Sequence, residues 1–183
     1  MSDVIRPATP ADATAIARLR IDAWRTTYRG MIPDAYLDGM QLADSVAIWD
    51  RVLNAPPNRT SVFVAEDEQG LAGFAAGNPR EPGPLGYDAE LSAVYLRADR
   101  QRQGLGRRLV AAVAAAQHAN GASSLVVWVI AGNRAARRFY EALGGELLVE
   151  QPFQWDGMDL VEAGYGFRDL DTLASASETA QLH

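Results

Sequence analysis

The residues best suited to chemistry lie in one basic, glycine-containing stretch, Arg97 to Arg108. Within it, Gln101-Arg102-Gln103-Gly104-Leu105-Gly106 fits the pattern Gln/Arg-x-x-Gly-x-Gly/Ala, with glycines where a backbone must come close to something. Val94, Tyr95 and Leu96 before it are β-formers, and Leu105, Leu109, Val110 and Val113 after it recur at helical spacing. The reading is strand, tight turn, helix. A helix start fed by such a turn offers unpaired backbone N–H groups and the positive end of the helix dipole, which together make an anion site. Arg100, Arg102, Arg107 and Arg108 add charge suited to phosphate. The predicted chemistry is binding of a pyrophosphate-containing ligand. Two other phosphate motifs are missing. There is no Gly-x-x-x-x-Gly-Lys-Ser/Thr, and Gly104-Leu105-Gly106 lacks the third glycine of the dinucleotide fingerprint.

The elements that must position this turn follow from punctuation and periodicity. Val4–Arg6 reads as a first strand. Thr9, Pro10 and Asp12 start a helix that runs to about Thr26, with Ile16, Leu19, Ile21 and Trp24 on its stripe. Tyr28 to Pro33 breaks it. A short helical turn over Pro33–Leu37 and a helix over Leu42–Leu53 follow, stopped by Ala55-Pro56-Pro57-Asn58. Ser61–Glu66 and Leu71–Asn78 form a hairpin, and the small residues of its second strand allow close packing. Ala89–Leu96 is the strand of the opening stretch, whose helix ends at Asn120-Gly121. Leu125–Ile130 is a continuous apolar run, as in a central strand. Asn133, by residue type a good N-cap, opens a helix to Leu143 closed by Gly144-Gly145. Glu146–Gln154 and Leu160–Phe167 are the last strands, around Trp155-Asp156-Gly157. The order β-α-α-β-β-β-α-β-α-β-β gives an α/β fold with a mixed sheet and helices on its faces. One domain over residues 1–170 and a polar, frayed tail over 171–183 are expected.

Composition narrows the function. The 183 residues are 48% hydrophobic and 22% charged, as in an ordinary globular protein with a sizeable core. No cysteine is present, which excludes disulfides, thiolate metal sites and a cysteine nucleophile, and two histidines argue against a histidine metal site. The net charge of −6 argues against nucleic acid as the main partner. No apolar run reaches the ~18 residues of a membrane span and no signal peptide is visible, so no membrane partner and a cytoplasmic location are expected.

With the turn Leu96–Val110 and the later stretch Asn133-Arg134-Ala135-Ala136-Arg137-Arg138-Phe139-Tyr140-Glu141-Ala142-Leu143-Gly144 both in place, the chain resembles the GNAT superfamily of acyl-CoA-dependent N-acetyltransferases, from Ile5 to about Leu170. The resemblance implies the GNAT fold, a mostly antiparallel central sheet of about seven strands flanked by four helices. It also implies acetyl-CoA as co-substrate, without a metal. By that resemblance the backbone of Val94, Tyr95 and Leu96 pairs with the pantetheine arm. The turn Arg102, Gln103, Gly104, Leu105, Gly106 and Arg107 wraps the pyrophosphate, and Asn133 lies beside the CoA arm.

The same resemblance gives Tyr140 as the general acid that reprotonates the thiolate, where residue type alone reads it as a core side chain with its hydroxyl out. Glu90, otherwise a solvated charge at a strand start, becomes the base for the acceptor amine, directly or through water, with Asp88 in reserve. Tyr28 and Trp155 become acceptor-pocket residues; Trp155 alternatively packs on a partner subunit. Trp24 is read as core. The implied activity is acetyl transfer to a primary amine of a small molecule or a protein N-terminus, by direct attack in a ternary complex. The alternative is a non-catalytic acyl-CoA-binding sensor on the same fold. A homodimer built on the last two strands is a further expectation.

Overall fold

The computed structural model describes residues 3–56 and 58–175. The strands are β1 (Val4–Pro7), β2 (Ser61–Asp67), β3 (Gly70–Pro79), β4 (Ala89–Leu96), β5 (Leu125–Ile130), β6 (Glu146–Trp155) and β7 (Met158–Phe167). The helices are α1 (Ala13–Thr27), α2 (Asp34–Gly39), α3 (Leu42–Leu53), α4 (Leu105–Ala119), α5 (Arg134–Ala142) and α6 (Leu170–Ser175). One sheet runs in the order β1-β2-β3-β4-β5-β7-β6. Every neighbouring pair is antiparallel except β4 with β5.

Of the six α-helices among the described residues two are short, and one of these, α6, corrects the expectation of four helices and of a tail frayed from residue 171. Leu170 and Leu173 are buried, α6 lies against α4, and the Asp169 side chain accepts from the Thr172 N–H to cap its start. Two apolar residues three apart sufficed to dock one turn that composition alone marks as polar. Residues 176–183 of that tail lie outside the described residues.

The sheet has a helical layer on each face. On one face α4 sits over Ala65, Ala75, Leu91, Leu125 and Val127, with Tyr165 and Phe167 extending the same core. The small residues of β3 permit this approach: a Cβ at Gly77 would stand 2.4 Å from Val113 Cγ1. On the other face Ile16, Leu19 and Trp49 from α1 and α3 cover Val64, Phe74 and Ala76.

Two features of β4 set up the site. It shares only three pairs with β5, Ala89 with Leu125, Glu90 with Val126 and Leu91 with Val127. Beyond them β4 keeps only β3 as neighbour and β5 only β7, so the sheet forks. The second feature is a bulge. Ala76 faces Ala93 while Gly77 faces Leu91, which leaves Ser92 as the extra residue, its Oγ donating to the Ala76 carbonyl at 3.2 Å. A bulge bends the strand and shifts its side-chain alternation. Leu91, Val94 and Leu96 therefore point to the α4 face, and Ala93 and Tyr95 to the α1 face.

Candidate active site

The fork opens into a cleft of about 470 Å³ bounded by β4, β5, α1, the start of α4 and α5. Val94, Tyr95 and Leu96 form one wall, with main-chain groups that no longer pair with β5; Val127, Trp128 and Val129 form the other. The mouth is the glycine turn. Gly104, at φ +81°, caps α4, and Arg102 also holds a left-handed conformation at φ +61°. Residue 104 reaches that geometry without a Cβ penalty because it is glycine. Left-handed residues in a turn of this kind can present main-chain N–H groups to an anion, which makes the turn a candidate anion cradle.

The arginines of the basic stretch divide into two groups. Arg97 pairs with Asp67 and Asp99, and Arg100 with Asp67 and Asp3. Arg108 donates to the Asp3 carbonyl at 3.0 Å. These three clamp the turn to the start of the chain and the β2–β3 hairpin. Arg102 and Arg107 line the cleft and form no ion pair among the described residues. The phosphate-directed charge is thus narrower than the four arginines expected: Arg100 and Arg108 hold the scaffold. Gln103 also serves the turn, its Nε2 donating to the Asp99 carbonyl at 2.8 Å. The Leu105 side chain is in the core, so its share in an anion site is confined to its main chain. Gly106 lines the cleft beneath Phe139, whose ring would be 3.3 Å from an added Cβ.

Asn133 is the N-cap of α5. Its Oδ1 accepts from the Ala136 N–H at 3.2 Å, and the residue is buried at the cleft wall. Arg137 anchors the helix from below, donating to Tyr165 Oη at 3.0 Å and pairing with Glu150. So fixed, α5 presents Tyr140 to the cleft at 6% exposure, edge-on to Phe139. Burial pushes the Tyr140 phenol well above its ordinary value, with the neighbouring Tyr95 adding to the effect. Across the cleft Tyr28, at the end of α1, is raised likewise, first by burial and then by Tyr95.

Glu90 and Trp155 stand outside the cleft lining. Glu90 is in the middle pair of the fork's closed end, 3.6 Å from the Arg80 guanidinium. Burial raises its carboxyl pKa; Arg80 opposes this and Glu162 adds to it. Asp88 is committed elsewhere, accepting from the N–H groups and hydroxyls of Ser123 and Ser124. Trp155, at the β6–β7 hairpin, stacks 5.8 Å from Trp24 and donates from Nε1 to Tyr36 Oη at 3.2 Å. Trp24 is core, as expected, and its indole also donates to Tyr95 Oη at 2.8 Å.

Trp128 and Phe139 were not among the residues expected at the site. Trp128 had a legible signal, as the single aromatic in a run of β-branched residues. Its ring lies on Gly164, where an added Cβ would be 2.8 Å away. Among the described residues no cluster of His, Cys, Asp and Glu suits a metal ion, and no helix is long and apolar enough to cross a membrane.

The fold is thus that of an α/β protein with a mostly antiparallel sheet, forked at its one parallel pair over a glycine-capped helix. The chain matches the model of the Acetyltransferase (GNAT) family over residues 19–145, and it belongs to that family. It is 40% identical over 171 residues to an uncharacterized N-acetyltransferase, YuaI, of Bacillus subtilis (strain 168), covering 92% of this chain and 95% of that one. Its fold is shared by the PaiA N-acetyltransferase of Thermoplasma acidophilum, solved with coenzyme A, at TM-score 0.69 and 19% identity over 89% of this chain and 98% of that one. It is also shared by YncA of Salmonella typhimurium, solved with acetyl-CoA, at TM-score 0.66 and 20% identity over 92% and 94% of the two chains.

Proposed function

We propose that this protein transfers an acetyl group from acetyl-CoA to a primary amine of a small molecule or a protein N-terminus, by direct attack in a ternary complex. The observation that carries the reading is the fork between β4 and β5, with a candidate anion cradle at its mouth and a buried tyrosine beside it. A CoA pyrophosphate fits the N–H groups around Gly104, with Arg102 and Arg107 as the cations at hand. The pantetheine arm then adds to the open edge of β4 as an extra strand, using main-chain groups that β5 leaves unpaired. That arrangement carries the thioester toward the closed end of the fork.

The acceptor enters from the α1 face, past Tyr28 and beneath the hairpin that carries Trp155. An alkylammonium of pKa about 10.4 has only about one molecule in 2,500 neutral at pH 7, so a base is required. Glu90 takes the proton, directly or through water; its desolvated carboxylate is more basic than an exposed one. The amine nitrogen bonds to the thioester carbon, backbone N–H groups of β4 stabilise the oxyanion, and the C–S bond breaks. Tyr140 gives its proton to the thiolate. Holding both substrates in one cleft supplies much of the rate through effective molarity.

Three measurements test this. Acetyl-CoA at a hundredfold excess over Kd stabilises the fold by about 2.7 kcal/mol. Thiol release is expected with at least one member of an amine panel, and binding without release for any amine would instead indicate a sensor. Tyr140→Phe lowers kcat while acetyl-CoA affinity holds; unchanged kcat removes Tyr140 from the mechanism.

A further inference from the structure

The ion pair at the closed end of the fork differs from those that hold the scaffold. Arg97 with Asp67 and Arg137 with Glu150 close to 2.6 Å, within hydrogen-bond reach. Arg80 Nη1 stops 3.6 Å from Glu90 Oε2. That nitrogen is buried and has no hydrogen-bond partner. A buried donor left without an acceptor costs stability, so its place calls for a reason other than packing.

The backbone puts the guanidinium there. β3 and β4 pair as far as Pro79 with Ala89, and the Arg80 N–H carries the ladder one step on, donating to the Asp88 carbonyl at 3.0 Å. Asn78 lies opposite Glu90, so Arg80 and Glu90 are diagonal neighbours on one face of the pair, a spacing that a long side chain spans. The other groups about Glu90 offer it no cation. On β5 its partner is the apolar Val126. Upstream on β4's approach, Asp88 is a like charge turned to Ser123 and Ser124. On β7 Glu162 is a second like charge, accepting from the Gln151 amide at 2.9 Å. Among the described residues, Arg80 alone forms an ion pair with Glu90. A carboxyl partly out of water and near its own kind favours the protonated form, and a protonated carboxyl takes no proton from an amine. The 3.6 Å gap matters as well. A hydrogen-bonded guanidinium fills carboxylate lone pairs, whereas this one supplies charge and leaves them to the proton.

We propose that Arg80 is the positioning residue of the base, holding Glu90 as the charged carboxylate at the closed end of the fork while leaving its oxygens open to the acceptor's proton. The inference rests on the reading of Glu90 as base. The acceptor ammonium gives its proton to a Glu90 oxygen, directly or through water, and its nitrogen keeps the electron pair that bonds to the thioester carbon. Arg80 keeps all its own protons. Once Glu90 is neutral the guanidinium has lost its counter-charge, which favours release of the proton to solvent and return of the carboxylate.

The test follows kcat/KM for the amine against pH in the full chain, for Arg80→Gln, Arg80→Lys, Glu90→Gln and the combination of Arg80→Gln with Glu90→Gln, with thermal midpoints recorded. Arg80→Gln should move the acidic limb up by about one pH unit, which is tenfold in kcat/KM at a fixed pH on that limb, while the plateau above it holds. Arg80→Lys restores a cation and should return the limb to near its original place. In the Glu90→Gln background Arg80→Gln should change nothing, because the carboxylate it serves is gone. A limb that stays put in Arg80→Gln while Glu90→Gln abolishes it overturns this inference and leaves the base standing. So does a loss equal at every pH, shared by Arg80→Lys and matched by a lower thermal midpoint, which is what a scaffold role gives. A limb that persists in Glu90→Gln overturns the base itself.

Discussion

The Arg80 guanidinium stands 3.6 Å from the Glu90 carboxylate at the closed end of the fork, where β4 and β5 still pair. Arg80 favours the charged form of Glu90, but burial outweighs it and the carboxyl pKa is raised. A base titrating above the ordinary carboxylate range gives an acidic limb of kcat/KM shifted upward by the same cause. The sign for stability is the opposite of that for activity. A raised carboxyl favours the fold at low pH and loses that contribution as pH rises through the folded value. Glu90→Gln should therefore lose turnover and the acidic limb while its thermal midpoint at pH 7 stays level or rises. A limb that persists in Glu90→Gln assigns the base elsewhere.

Arg100 and Arg102, two residues apart in one basic turn, should behave oppositely. Arg100 is ion-paired to Asp3 and Asp67, whose side chains are only 9% and 13% exposed. Arg100→Ala leaves Asp67 with Arg97 and Asp3 with only the Arg108 guanidinium 3.9 Å away, and a loss of about 1–3 kcal/mol of stability is expected. Acetyl-CoA affinity should change little. Arg102→Ala should leave the denaturation midpoint level, weaken acetyl-CoA binding and reduce its salt dependence. Isothermal titration at two salt concentrations beside chemical denaturation separates the two arginines.

That contrast marks how far the sequence was readable. The strand-turn-helix around Gly104, the cap at Asn133 and the strand Leu125–Ile130 were legible because each rests on local rules of capping, turn chemistry and apolar runs. The division of the arginines was not, because Asp3 and Asp67 reach Arg100 only through tertiary contact, across 97 and 33 residues of chain. The Ser92 bulge was equally hidden. Strict alternation puts Leu91, Ala93 and Tyr95 on one face, and only the pairing of β3 with β4 shows that Leu91 parts from the other two. The fork itself follows from where pairing stops, a property of two strands together that neither one encodes.

Asp12 provides a test of stability against pH. Its carboxylate accepts from both Arg6 nitrogens, at 2.8 and 2.9 Å, and from the Thr9 N–H at 2.7 Å. The Arg6 hydrogen bonds, ahead of the Thr9 contacts, hold its pKa at about 2, against burial acting the other way. A lowered carboxyl stabilises the fold above its ordinary pKa and loses that contribution as pH falls through the folded value. The side chain is 9% exposed, so the full linkage applies, on the order of 2 kcal/mol at neutral pH. Urea midpoints should fall between about pH 4 and pH 2. Asp12→Asn should start lower and show a flatter decline in that window; an equally steep decline would assign the acid sensitivity to other carboxylates.

Trp155 decides whether the hairpin between β6 and β7 belongs to the acceptor side. Its indole N–H donates to Tyr36 of α2 at 3.2 Å, and its ring lies 5.8 Å from Trp24 of α1. Trp24 in turn holds Tyr95, so the hairpin reaches the cleft wall through two contacts. Among the described residues its hydrogen bond and ring contact go to Tyr36 and Trp24, not to the glycine turn. Trp155→Ala should therefore raise the KM for the amine severalfold and leave acetyl-CoA affinity unchanged. At 39% exposure the residue is a minor part of the core, so a stability loss of no more than about 1 kcal/mol is expected. Trp155→Phe keeps the stack and loses the hydrogen bond to Tyr36, and should lie between the two. If the alanine variant instead weakens acetyl-CoA binding and spares the amine, the β6–β7 hairpin does not shape the acceptor site. Tyr28 and Trp128 would then be its walls.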